Sequence, residues 1–145
     1  MIIRPSVYED IKREDFRELV IRGLKPEEIG MIPCWEKLEN MAETAIRFGF
    51  WECAEHDGKI VGHILAFVGD NPMFYGRMAS VLAWYSEYPG AGMALFRRFS
   101  EWAAAQHVAS VSIHTNPDSR LDEFLTGNGW IMCPNYLKVV SSMDS

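Results

Sequence analysis

Gly90 and Gly92 stand where an apolar run gives way to residues at helical spacing. Ala79 to Tyr85 reads as a buried strand. Leu95, Phe99, Trp102 and Ala103 share one face of a helix that the spacing predicts from about Gly90 to Gln106, while Arg97, Arg98, Ser100 and Glu101 lie mostly off it. A strand that ends in glycines opening a helix presents unpartnered amides at the positive end of the helix dipole, and the missing side chains let a phosphate come close. A tight turn holding no ligand uses the same letters, so the glycines alone leave both readings open.

Side chains able to carry a proton surround this turn. Glu87 and His114 fall near the ends of predicted strands, Glu52 and His63 within strands, and Tyr85, Tyr88 and Tyr136 supply phenols. Each has a structural reading beside the chemical one, since histidines in apolar runs are commonly hydrogen-bonded core residues and tyrosines commonly pack. Glu87 and His114 rank ahead of the other bases because they sit closest to the strand ends, and Tyr85 joins them as a candidate phenol.

The letters Ser86-Glu-Tyr-Pro-Gly-Ala-Gly-Met-Ala-Leu95 resemble the acyl-CoA-binding signature of the Gcn5-related N-acetyltransferases, P-E-Y-R-G-x-G-x-G/A followed by an aliphatic helix. Glu87, Tyr88, Gly90, Gly92 and Ala94 match it; Ser86 replaces the proline and Pro89 the Arg or Gln, and Pro89 has no N–H to give. The resemblance implies that acetyl-CoA is the co-substrate. Its pyrophosphate would lie on the backbone of Gly90, Ala91, Gly92, Met93 and Ala94, and its thioester arm along Leu82, Ala83 and Trp84, with Asn116 nearby. It implies transfer of an acetyl group to a primary amine of a small molecule or a protein, with Glu87, His114 and Tyr85 as candidate catalytic groups. Family members often carry a tyrosine acid in the pattern N-x-x-A-x-x-F-Y-E-K-x-G-F; here Asn116, Phe124, Gly129 and Trp130 align, but Leu125 holds the tyrosine position. That departure and Pro89 leave a second reading open, a catalytically degenerate binding or structural module. The last third of the chain is also similar to small acetyltransferase-like proteins of tailed bacteriophages, some of them virion components.

The elements that must position these groups are legible in outline. Ile2 and Ile3 predict a strand that stops at Pro5, and Ser6-Val-Tyr-Glu9 has capping-box spacing for a helix ending at Gly23. Lys25 to Gly30 reads as a polar connection. Trp35, Leu38, Ala42, Ala45 and Ile46 mark a second helix ending at Gly49; by the resemblance, Trp35 and Met41 would line the acceptor groove. Runs 50–55 and 60–68 joined at Asp57-Gly58 predict an antiparallel hairpin, followed by a loop over 69–76. Val108 to Thr115 predicts a strand parallel to 79–85, Leu121, Phe124 and Leu125 a short helix, and 130–133 with 136–140 a last hairpin. The order is that of a single α/β (α+β) domain over 1–145. The resemblance implies a mixed, mostly antiparallel sheet with a central V-shaped splay, flanked by about four helices.

Composition narrows the function classes. At 145 residues and 48% hydrophobic, the chain can bury the core of one ordinary domain. A net charge of −6 without a Lys/Arg block argues against sequence-independent binding to nucleic acid. No apolar run reaches the roughly 18 residues of a membrane span, and the start does not read as a signal peptide, so a cytoplasmic protein is expected, a homodimer being compatible with the reading. Cys34, Cys53 and Cys133 are widely spaced and predict buried thiols rather than a disulfide framework or a zinc site; His56, His63, His107 and His114 have no metal-binding spacing. The third glycine of a dinucleotide fold, the P-loop lysine and the G-x-S-x-G elbow are all absent.

Overall fold

The computed structural model describes residues 1–114, 120–133 and 138–140. Its elements run β1 (Ile2–Pro5), α1 (Tyr8–Ile11), α2 (Glu14–Leu24), α3 (Pro26–Ile29), α4 (Trp35–Phe48), β2 (Phe50–His56), β3 (Lys59–Asp70), β4 (Arg77–Ser86), α5 (Ala91–Ala105), β5 (Ser110–Ile113) and α6 (Arg120–Gly127). Among the described residues the strands form one sheet in the order β1-β2-β3-β4-β5, antiparallel except for the β4–β5 pair. The mixed, mostly antiparallel sheet of the sequence reading is therefore present, accompanied among the described residues by the four longer helices α2, α4, α5 and α6 and by the four-residue segments α1 and α3.

Side-chain alternation builds a core on each side of the sheet. In β2, Trp51 and Cys53 join Ile11, Phe16, Leu19, Val20, Ala42 and Ala45 from α1, α2 and α4; Phe50 and Ala54 point the other way, to Leu95, Phe99 and Ala103 of α5. Ile64 and Ala66 of β3 face α5, while Leu65 faces the N-terminal helices. The strand tolerates burial on both faces because it lies inside the sheet.

β4 changes sides partway along. Ala79 and Val81 pack toward α5, and two residues on, strict alternation would keep Ala83 and Tyr85 there too. The register with β3 instead jumps from Val81↔Ala66 to Ala83↔Leu65, so Leu82 is an extra residue in β4. This bulge inverts the parity: Ala83 and Tyr85 pack on the N-terminal-helix side and Trp84 on the α5 side.

Several local expectations are corrected. The first helix is two. Asp10 rather than Ser6 organises its start, accepting from the Val7 amide at 2.8 Å while Arg4 grips the same carboxylate through two 2.8 Å bonds. The helix then runs through Gly23 and ends at Lys25 in the left-handed region. Gly23 answers a packing need rather than a cap, because a Cβ there would meet Tyr85 Cγ at 2.8 Å. The polar connection contains α3, opened by Pro26. Cys53 is buried, but Cys34 and Cys133 are exposed. Residues 130–133 and 138–140 are in no strand; with Ile131 87% and Val140 91% exposed, no layer covers this segment to reward pairing. The rest of the expected hairpin, Tyr136 included, lies outside the described residues, as does Asn116. The turn at Asp57-Gly58 has positive φ at both residues, the geometry expected for a tight hairpin.

Among the described residues, no helix is long and apolar enough to cross a membrane, and no group of three or more His, Cys, Asp or Glu is arranged to hold a metal ion.

Candidate active site

β4 and β5, the last pair of the sheet among the described residues, part company midway along β4. They pair from Met78↔Ser110 to Val81↔Ile113, and β5 stops there while β4 continues to Ser86. From Leu82 onward β4 is held on its β3 side alone, through Ala83↔Leu65, Trp84↔Ile64, Tyr85↔His63 and Ser86↔Gly62. The backbone edge that the bulge residue opens is thus left without a strand partner among the described residues.

The chain then turns into α5. The Glu87 amide donates to the Val61 carbonyl at 2.8 Å, which fixes the end of β4, and Gly90 adopts φ +84° as the residue before the helix. In the first turn of α5 the Ala91 amide donates back to the Tyr88 carbonyl at 3.1 Å, whereas the amides of Gly92 and Met93 have no acceptor among the described residues. The first turn carries no acidic side chain to repel an anion. Gly92 also meets a steric demand: a Cβ on it would lie 2.8 Å from Ser86 Oγ. Trp84 Nε1 donates to the Gly92 carbonyl at 3.0 Å, and the indole stacks on Phe96 of α5 with centroids 4.9 Å apart. Phe124 and Trp130 meet Phe96 as well, at 6.0 and 6.2 Å, which docks α6 and the chain after it on α5.

On the opposite side of the sheet a cavity of about 460 Å³ reaches the same stretch of β4. Leu82, Ala83, Trp84, Tyr85 and His114 line it, together with Trp35 and Met41 of α4. The structure therefore brings Tyr85 and His114 to one cavity, and places Leu82 to Trp84 between that cavity and the opening of α5.

The proton carriers sort by their surroundings. Glu87 is clamped by Arg22 of α2, with Nε to Oε2 at 2.6 Å and Nη2 to Oε1 at 2.7 Å, and accepts from Tyr85 Oη at 2.9 Å. The Arg22 hydrogen bonds hold its carboxyl below the usual range, so Glu87 is a poor base. Burial, reinforced by the bond to Glu87, pushes the Tyr85 phenol above its ordinary value and keeps it protonated. Glu52 is remote from this cavity: it faces α5, where Arg98 Nε reaches its Oε1 at 2.9 Å. Tyr88 packs against His56 at 4.2 Å between ring centroids. Leu125, at the position of the family's tyrosine, is buried.

His63 is the cross-strand partner of Tyr85 and lines the cavity at 4% exposure, its ring edge-on to Phe16 at 5.3 Å. Its Nδ1 is buried without a hydrogen-bond partner, and burial pushes the imidazole down to about 4, so the ring is neutral. Arg22 has no place in the sequence reading, and Gly23 enters it only as the end of a helix. Arg22 is 65 residues from Glu87 and carries no motif; only the docking of α2 on β4 joins them.

No family model matches the chain, and no curated protein matches its sequence. Solved structures do match it over nearly its whole length. A protein from Thermus thermophilus, solved as a single-residue variant, superposes with a TM-score of 0.69 at 23% identity, covering 100% of this chain and 99% of its own. A ribosomal-protein-alanine N-acetyltransferase from Brucella melitensis biovar Abortus 2308 gives 0.66 at 15% identity, covering 97% and 99%. A predicted acetyltransferase from Clostridium acetobutylicum, solved with acetyl-CoA, gives 0.70 at 17% identity, covering 95% and 94%. A parted β4–β5 pair, a glycine-opened helix and this agreement in architecture together give the chain the fold of the Gcn5-related N-acetyltransferases.

Proposed function

We propose that this protein is an N-acyltransferase that moves an acetyl group from acetyl-CoA to a primary amine. The observation that carries the reading is the edge of β4 from Leu82 to Ser86, which has no strand partner among the described residues and runs directly into a helix opening whose Gly92 and Met93 amides have no acceptor among them either. An extended arm needs such an edge and a diphosphate needs such an opening. Pro89 removes one donor from the loop, yet the amides after Gly90 remain, so the residues present fit the group.

In this reading Gly92 and Met93 hold the pyrophosphate, and the main chain of Leu82, Ala83 and Trp84 holds the arm. Bound acetyl-CoA supplies an activated acyl group as its thioester. Backbone donors on the β4 edge stabilise negative charge developing on the acyl oxygen, a contribution of roughly 10²–10³ in rate per donor. Tyr85 keeps its proton on Oη against the ionised Glu87 and serves as the acid, taking the role left open by Leu125. Glu87 and Arg22 act by orienting that phenol. His114, lining the cavity after the end of β5, is a second proton carrier there. A cytoplasmic site of action accords with dependence on acetyl-CoA.

The test is calorimetric titration with acetyl-CoA, repeated on Gly92→Glu, whose carboxylate would occupy the helix opening. Saturable binding by the unaltered protein and none by the variant is expected. Absence of binding at millimolar acetyl-CoA would leave the degenerate binding or structural module as the better account, the reading that the buried Leu125 favours.

A further inference from the structure

The acceptor side of the site has a chemical character of its own. The cavity is walled by Phe16, Leu24, Trp35, Leu38, Met41 and Leu65, drawn from α2, α4 and β3. No carboxylate lines it among the described residues, and Lys25 is its one aliphatic cation. A polyamine or a basic peptide would leave its ammonium groups desolvated and without a counter-ion in such a wall, which is costly. An amine whose remaining atoms are hydrocarbon loses nothing by entry except the hydration of its single polar end. A volume of about 460 Å³ lies in the range of ordinary small-molecule pockets.

His63 supplies a place for that polar end. It is the wall's buried histidine, paired across the strands with Tyr85, and Nδ1 has no partner. A buried ring nitrogen left unsatisfied calls for a partner, and because Nδ1 has no surface open to the cavity, a turn of the imidazole is needed to offer it to a ligand. We propose that the acceptor is an apolar primary amine, aliphatic or arylalkyl, whose hydrocarbon body fills this cavity and whose amino group is hydrogen-bonded by His63.

The inference rests on the acetyltransferase reading for its chemistry, and it also resolves a gap in it. A primary amine must lose its ammonium proton before it attacks, and Glu87 is too firmly ion-paired to take it. Entry into an apolar cavity disfavours the charged form by itself, so the amine sheds its proton to solvent as it binds. The neutral nitrogen then attacks the acyl carbon, the new C–N bond forms as the C–S bond breaks, the thiol leaves with the proton from Tyr85 Oη, and the nitrogen's surplus proton, relayed through solvent, restores the phenol. His63 is a binding and positioning residue here.

Binding and turnover are measured separately with four probes: 2-phenylethylamine, n-hexylamine, spermidine and a short lysine-containing peptide. Ligand-observed NMR without acetyl-CoA is expected to show the first two binding at least about tenfold more tightly than the last two, with affinity rising with pH. His63→Leu should raise the KM for n-hexylamine by roughly two- to tenfold, the span of one net hydrogen bond. It should leave the KM for acetyl-CoA unchanged, and His63→Gln should recover part of the loss. Preferred binding or acetylation of spermidine or the peptide would overturn the proposal while sparing the acetyltransferase reading. Apolar amines that bind selectively and are never acetylated would uphold the cavity's selectivity and refute the transfer chemistry. An unchanged KM in His63→Leu, with the fold verified by circular dichroism, would overturn the role of His63.

Discussion

The indole N–H of Trp84 donates to the carbonyl oxygen of Gly92 at 3.0 Å, tying the free-edged end of β4 to the first turn of α5. The two halves of the site, strand edge and helix opening, are thereby held in one geometry. The bond also stacks the indole on Phe96, so the aromatic cluster against α6 and the helix opening share a support.

Trp84→Phe keeps the stacking partner and removes the donor. Leaving the Gly92 carbonyl without it should cost about 1 kcal/mol in chemical denaturation. It should weaken acetyl-CoA binding several-fold by calorimetry, because the Gly92 amide then turns more freely. An unchanged dissociation constant would mean that the first turn is held by the helix alone.

Gly23 and Tyr85 are in contact that admits no side chain. Gly23→Val places a Cβ within 2.8 Å of Tyr85 Cγ and 3.0 Å of its Cβ, atoms too near the main chain to swing away. Urea unfolding should register a loss of about 1–3 kcal/mol, typical of overpacking. The acetyl-transfer rate should fall further than stability explains, since the Tyr85 phenol is moved off Glu87. Normal turnover in this variant would remove Tyr85 from the proposed mechanism.

His63 sets an acid limit on stability. Its folded value of about 4 lies below the ordinary imidazole value near 6.5, so within that window the unfolded chain binds the proton and the folded chain does not. Stability is therefore full above about pH 6.5 and falls as the pH drops toward 4, by roughly 2–3 kcal/mol at pH 4.5. Denaturation at pH 7.5 and 4.5 should show this slope, and His63→Leu should flatten it. The ion-paired carboxylates of Asp10, Asp15, Glu55 and Glu87, whose values are lowered, add their own losses only at lower pH.

Glu52 and Arg98 test the other face of the sheet. The Glu52 side chain is 9% exposed and depends on Arg98 for two hydrogen bonds, at 2.9 and 3.3 Å. Arg98→Met strands the carboxylate and should cost about 1.5–3 kcal/mol, the range for bonds to charged groups. Adding Glu52→Leu should return most of that loss, because it removes the buried carboxylate that Arg98→Met leaves uncompensated. The KM for acetyl-CoA should stay constant throughout, a result that separates this pair from the site.

Periodicity alone located most elements, because each is built from local spacing that burial on one face or two enforces. The helix after Gly90, the Asp57-Gly58 hairpin and the strand before the glycines needed nothing beyond neighbouring residues. The glycine signature was legible for the same reason, since Gly90 and Gly92 answer demands made within a few residues of themselves: a positive φ and a close approach to Ser86. What the letters could not carry was the sidedness of β4. One extra residue at Leu82 turns Tyr85 from the α5 face to the cavity, and a bulge is decided by the partner strand, not by the strand's own sequence. The charge state of Glu87 followed from Arg22 and that of His63 from the walls around it, partners brought together only when α2 docks on the sheet. Composition and spacing thus determined which groups exist and which segments bear them. Packing over long sequence separations decided which carboxylate is clamped, which phenol keeps its proton and which buried ring nitrogen has no partner among the described residues.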